Sequence, residues 1–121
     1  IGADLPFFIY NYACANVSGF GELVEPFEEE PLSLELYTPE IGCDTAVVYK
    51  TFKAHLLDDI TLSSFIGWEK LDSKTLLERI ADPIILNDLY NAALFAYPAL
   101  KQVAKEGWFF SGSGSTFFRL V

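Results

Sequence analysis

The residues best suited to chemistry lie near the end of the chain, in Phe109-Phe110-Ser111-Gly112-Ser113-Gly114-Ser115-Thr116-Phe117-Phe118. Only small residues separate two aromatic pairs. Glycines two apart let the backbone turn sharply and leave its N–H groups uncovered. Ser111, Ser113 and Ser115 add hydroxyl donors. Such a set suits an anionic oxygen, as in a phosphate; the same residues also read as a Ser/Gly hairpin turn between two strands. A second candidate is Asp4, just ahead of Leu5-Pro6-Phe7-Phe8-Ile9-Tyr10. An acid beside so much apolar surface is costly unless it is paired or open to a cleft; as a turn or cap residue it would need no further role. A third is Tyr49, which reads first as a core aromatic. The chain holds no Cys/His pair, no Ser/His/Asp set and no Walker A sequence.

The elements that must position these residues follow from periodicity. Pro6 is expected to keep Leu5 out of the helical region, placing Asp4 at a bend ahead of a buried segment. Tyr12 to Val17 and Glu22 to Phe27 read as strands joined by the turn Ser18-Gly19-Phe20-Gly21. The acid- and proline-rich stretch Glu25 to Pro31 reads as a solvated loop. Leu32 to Thr38 shows the clearest alternation, with Leu32, Leu34 and Leu36 on one face, and Pro39 stops it. Asp44 reads as a helix N-cap, with Thr45, Val48, Tyr49 and Phe52 at helical spacing to about Ala54. Tyr49 falls on the apolar face of that helix. The stretch His55 to Trp68 reads as irregular. Asp72 caps a helix over Ser73 to Ile80, Asn87-Asp88 opens another, and Pro98 starts a last one that Gly107 ends. Strands Trp108 to Phe110 and Thr116 to Val121 flank the glycine loop. Strands at both ends and helices between them predict an α+β fold, an antiparallel sheet with helices on one face.

Composition narrows the partners. A chain of 121 residues suffices for one domain with one core, residues 1–121. Lys+Arg of 8 against Asp+Glu of 17 gives a net charge of −9, which argues against nucleic-acid backbone and anionic membrane as partners. A local phosphate site made by backbone amides remains compatible with that charge. No apolar run has the length of a membrane span. Cys14 and Cys43 lack metal spacing and read as buried free thiols of a reducing compartment. With His55 the only histidine, no metal site is expected. Apolar content is 51% and mean hydropathy is +0.26, which fits a chain that hides part of its surface against another domain. The chain has no methionine and opens on Ile1-Gly2-Ala3-Asp4, so it reads as a processed chain or a fragment of a longer protein.

Four segments, in order, carry a resemblance. They are Gly2-Ala3-Asp4-Leu5-Pro6-Phe7-Phe8, then Ala15-Asn16-Val17-Ser18-Gly19-Phe20-Gly21-Glu22, then Asn87-Asp88-Leu89 with Tyr97-Pro98, and finally Ser111-Gly112-Ser113-Gly114-Ser115. Together they span nearly the whole chain and resemble the second half of the GHMP kinase superfamily, in its diphosphocytidyl-methylerythritol kinase branch. That resemblance implies the ferredoxin-like α+β C-terminal half of a cytoplasmic kinase. It also implies ATP and Mg2+ as cofactors, and transfer of the γ-phosphoryl to the 2-hydroxyl of diphosphocytidyl methylerythritol, a step of the non-mevalonate route to isoprenoid precursors. Asp4 matches the family's catalytic aspartate, a general base that must come within hydrogen-bond reach of that hydroxyl. Ser111 to Ser115 match its third glycine motif. Thr45 and Tyr49 align with the region lining the cytidine pocket, where an aromatic ring can stack on the base. The partner lysine and the main phosphate loop of the family have no counterpart here. The N-terminal half of the same protein is therefore an implied partner, and the chain alone is expected to be inactive. Phe20 stands where the family turn often has Arg, and no Pro lies at Asp44 or Ala46. Another GHMP kinase, of homoserine or mevalonate type, and a non-catalytic ferredoxin-like binding module are the alternatives.

Overall fold

A computed structural model describes residues 3–55, 67–80 and 82–121. The first helix, α1 (Leu5–Tyr10), is followed by strands β1 (Ala15–Ser18) and β2 (Leu23–Pro26) and then β3 (Leu34–Tyr37). Helices α2 (Thr45–His55), α3 (Ser73–Arg79), α4 (Pro83–Leu86), α5 (Asp88–Ala96) and α6 (Leu100–Val103) come next, with a 3-10 turn at Trp68–Lys70. The chain closes on β4 (Phe109–Phe110) and β5 (Phe117–Leu120). This is the expected α+β mixture of helices and antiparallel strands. The strands form two sheets, a β1–β2 pair and a three-stranded sheet of order β3-β5-β4. Most of the stretch expected to be irregular, 56–66, lies outside the described residues.

Capping explains where the helices start. Asp44 Oδ1 accepts from the Val47 amide at 3.0 Å, Asp72 Oδ1 from Thr75 at 2.7 Å, and Asn87 Oδ1 from Leu89 at 3.0 Å. Each acceptor satisfies an amide that the first helical turn leaves without a partner. Asp82 and Pro83 supply the same signal for α4, a four-residue helix that periodicity did not reveal. The last helix begins at Leu100, two residues after Pro98, and spans four residues.

The buried core cluster is drawn from α2 onward. Val48, Ala92, Ala93, Leu100 and Phe117 are fully enclosed and Phe110 almost so, with Tyr90 and Trp108 packed among them. The rings interlock: Tyr90 stacks on Phe110 at 4.7 Å and meets Phe117 edge-on at 5.7 Å. Around the sheet edge, Lys105 Nζ lies 4.0 Å from the Tyr37 ring centre, and Arg119 lies over Trp108 at 4.7 Å.

Two expectations need correction. Leu34 and Leu36 do not face the core. Register pairs Tyr37 with Phe117 and Leu36 with Phe118. Phe117 is fully buried, so strand alternation turns Tyr37 inward and leaves Leu36 67% exposed. Residues 5–10 form a helix rather than a buried extended segment. Pro6 sits in its first turn, where a missing N–H costs nothing, so Leu5 is helical after all. None of the helix is buried, and Phe8 and Ile9 are about 70% exposed.

Candidate functional site

The glycine loop closes the β4–β5 hairpin, directly between the two most enclosed rings, Phe110 and Phe117. The Ser111 amide donates to Thr116 O at 2.9 Å, and the Gly114 amide donates back to Ser111 O at 3.0 Å. Gly114 has a φ of +92°, and a Cβ there would run into the Phe110 ring, so no side chain fits at that point. Among the described residues, the amides of Gly112 and Ser113 have no protein acceptor. Unpaired donors of this kind are what an anionic oxygen requires.

Two helix starts hold the loop from the side. Asn87 caps α5 with its oxygen and spends its amide group on the loop, donating to Phe110 O at 3.0 Å and Gly112 O at 2.8 Å. From α2, the Thr45 hydroxyl shares a 2.9 Å hydrogen bond with the Ser113 hydroxyl. The Asp44 amide donates to the Tyr97 hydroxyl at 3.1 Å, which ties the start of α2 to the end of α5. Thr38 and Thr116 pair through their hydroxyls at 2.8 Å on the β3 side. Burial pushes the pKa of Asp88, next to Asn87, above its ordinary value.

The structure therefore joins Thr45 to Ser111–Ser115 and leaves Tyr49 on the same helix, 55% exposed. Val48, not Tyr49, occupies the enclosed position of α2, and the Tyr49 ring remains open to a ligand. Asn87 and Tyr97 belong to the same assembly. Sequence reading placed Asn87 at a helix start and in one of the kinase-like segments, without a contact to the loop; one acceptor and two donors on a short side chain were the signal of a second duty.

Asp4 belongs to a different assembly. Its carboxylate makes no cap hydrogen bond and is exposed at the head of α1, which packs on β2. What fixes this helix is the turn of the β1–β2 hairpin. Gly21, at φ +102°, lies against the backbone carbonyl of Ala3, where a Cβ would overlap that oxygen. The Phe20 amide donates to Glu22 Oε2 at 2.6 Å and closes the turn. The Gly-x-Gly-Glu pattern thus has a local purpose, which is to seat the residue preceding Asp4. Gly2 lies outside the described residues. A cleft of about 650 Å³ lies elsewhere, lined by Glu28, Glu30, Ser33, Asp72 and Glu78 among others, and its acidic wall does not suit a phosphate.

Among the described residues, no group of three or more His, Cys, Asp or Glu is arranged to hold a metal ion. No helix among them is long and apolar enough to cross a membrane.

Sequence comparison finds curated relatives that align with nearly the whole chain. All the relatives cited here are named 4-diphosphocytidyl-2-C-methyl-D-erythritol kinase. The protein of Sulfurovum sp. (strain NBC37-1) is 65% identical over 120 residues, which cover 99% of this chain and 47% of that protein. The protein of Sulfurimonas denitrificans is 42% identical over 120 residues, and that of Helicobacter pylori (strain ATCC 700392 / 26695) is 43% identical over 126; each match covers 99% of this chain and 45% of the relative. The chain is homologous to these kinases and spans about half the length of the curated relatives it matches. No protein-family model matches the chain, and no solved structure matches it.

Proposed function

We propose that this chain is the C-terminal, substrate-side half of an ATP-dependent kinase that phosphorylates the 2-hydroxyl of diphosphocytidyl methylerythritol. The observation that carries the reading is the 65% identity to a protein of that name across 120 residues. The loop geometry supports it: free amides at Gly112 and Ser113, with the Ser113 and Thr45 hydroxyls beside them, form a small cradle for phosphate oxygens. Tyr49 offers a ring for the cytosine. Asp4 takes the proton of the substrate hydroxyl as its oxygen attacks the γ-phosphorus of ATP, and ADP leaves. General-base assistance of this kind is worth roughly 10²–10⁴-fold.

The nucleotide is bound mainly by the other half of the protein. ATP would bring the γ-phosphoryl, and Mg2+ bound with it would offset the phosphate charge. The same half covers the apolar side chains that α1 and the β1–β2 hairpin leave open, among them Phe8, Ile9 and Phe20. The isolated chain is accordingly inactive.

The test is ADP release by the full-length protein with diphosphocytidyl methylerythritol. Turnover that falls about 10²-fold or more in Asp4→Asn supports the assignment. Full activity in that variant removes Asp4 from catalysis, and no turnover with this substrate removes the kinase assignment.

A further inference from the structure

Asp4 and the glycine loop sit on separate assemblies, and one carboxylate ties the Asp4-bearing hairpin to α3, whose Leu77 lines a hollow with Phe109 and Leu120 of the sheet that carries the loop. Glu29 Oε2 accepts from the Ser73 amide at 2.7 Å, and Oε1 accepts from Ser73 Oγ at 2.6 Å and from Cys14 Sγ at 3.2 Å. Ser73 is the first residue of α3, and Cys14 immediately precedes β1. Phe27, two residues before Glu29, donates its amide to Cys14 O at 3.0 Å, which keeps the acid beside the hairpin. A second tie runs alongside, from Asn16 Nδ2 to Glu69 O at 3.1 Å.

These polar ties carry weight because, among the described residues, apolar packing is scarce at this junction. No side chain of α1 is buried, and Val17, Phe20 and Leu23 of the hairpin are all exposed. The backbone of Ala3 is held against Gly21, so α1 and Asp4 follow the hairpin. The hairpin in turn follows Glu29. An unpaired acid of the acidic loop would face water; Glu29 alone of Glu28, Glu29 and Glu30 turns back to meet three donors.

We infer that Glu29 is a positioning residue for phosphoryl transfer: it sets the orientation in which the Asp4-bearing unit meets the core that carries the glycine loop. The inference rests on the kinase reading above. A carboxylate suits the task because it accepts at both oxygens. A glutamine in its place keeps one acceptor for the Ser73 amide and can donate to Ser73 Oγ, losing only the thiol. An alanine loses all three bonds.

Steady-state kinetics of the full-length protein with ATP and diphosphocytidyl methylerythritol test this, alongside amide hydrogen exchange of residues 3–30 in the same variants. Glu29→Ala is expected to lower kcat about tenfold or more while KM for ATP stays within about twofold, as a misplaced base requires. Exchange over 3–30 rises in that variant, and Glu29→Gln recovers most of the lost kcat. Unchanged kcat in Glu29→Ala overturns the inference, as does a Glu29→Gln variant no better than alanine. Unchanged exchange overturns the latch without any reference to activity. An unsubstituted protein that does not turn over overturns the kinase reading, and with it the catalytic role of the latch.

Discussion

The two hairpins of this chain are made from similar materials and meet opposite fates. Both β1–β2 and β4–β5 are antiparallel pairs closed by glycine-bearing turns. In the second, the aromatic residues flanking the turn are the most enclosed rings among the described residues, and two helix starts brace the loop. In the first, the aromatic at the tip, Phe20, is 90% exposed, and the hairpin contributes no side chain to the core. The difference lies in what lies across from each. Helix α4 packs on β4, and α5 lays Tyr90 against Phe110 and Phe117, whereas among the described residues the β1–β2 pair has the short α1 and a few polar ties. A glycine turn therefore says little by itself; its flanking aromatics gain meaning from the surface they meet.

Core substitution should separate the two most sharply. Phe117→Ala is expected to cost about 3–5 kcal/mol in urea unfolding of the 121-residue chain, whereas Phe20→Ser should stay within about 0.5 kcal/mol. In the full-length protein the Phe20 substitution should cost about 1–3 kcal/mol if the other half covers this face; an equal null effect in both chains would count against that covering. Asn87→Ala comes next. It removes the α5 cap and two bonds to the loop, and it should cost about 1–3 kcal/mol by the same unfolding measurement while also weakening substrate binding.

Acid should act on one region before the other. The Ser73 hydroxyl, then the Ser73 amide and the Cys14 thiol, hold the Glu29 carboxyl below its ordinary pKa, against the opposing effects of partial burial and the nearby Asp72. A lowered folded-state pKa contributes stability that is fully present above the ordinary glutamate value and is lost as pH falls through the folded value. Protection from hydrogen exchange, relative to the unstructured rate at the same pH, should therefore fall at Ser73 and over the β1–β2 hairpin as pH drops below the ordinary glutamate range, with the β4–β5 core still protected. Simultaneous loss of protection in both would break the comparison. The smallest effect belongs to Thr45→Val, which deletes an exposed hydroxyl pair. It should alter stability by about 0.5 kcal/mol or less and show mainly as a raised KM for substrate.

Much of the core-building half was legible in the sequence. Asp44, Asp72 and Asn87 announced helix starts through a local hydrogen bond that needs no tertiary knowledge. Phe109-Phe110 and Phe117-Phe118 announced strands. The β1–β2 turn was read correctly from its glycines. What was not legible depended on partners distant in sequence. The inward face of β3 was decided by pairing Tyr37 with Phe117 across the sheet, and three alternating leucines pointed the other way. Leu5 to Tyr10 carried a proline that argued against helix and an apolar run that argued for burial; as a short exposed helix with the proline in its first turn, it satisfied neither expectation. At the site, Thr45 and Ser113 were both named, and their hydrogen bond across 68 positions could not be. The loop-holding role of Asn87 was hidden behind its more obvious role as a cap.

Because Phe110 and Phe117 begin and end the loop, the loop has no hinge of its own. Its ends cannot part without opening the aromatic core, and Asn87 pins its middle to the same helix that supplies Tyr90 to that core. The conformational freedom a binding loop usually surrenders when its ligand arrives has here been surrendered already, during folding. A phosphate reaching Gly112 and Ser113 would meet donors that no other group among the described residues claims, and its arrival would show as tighter binding with little accompanying motion.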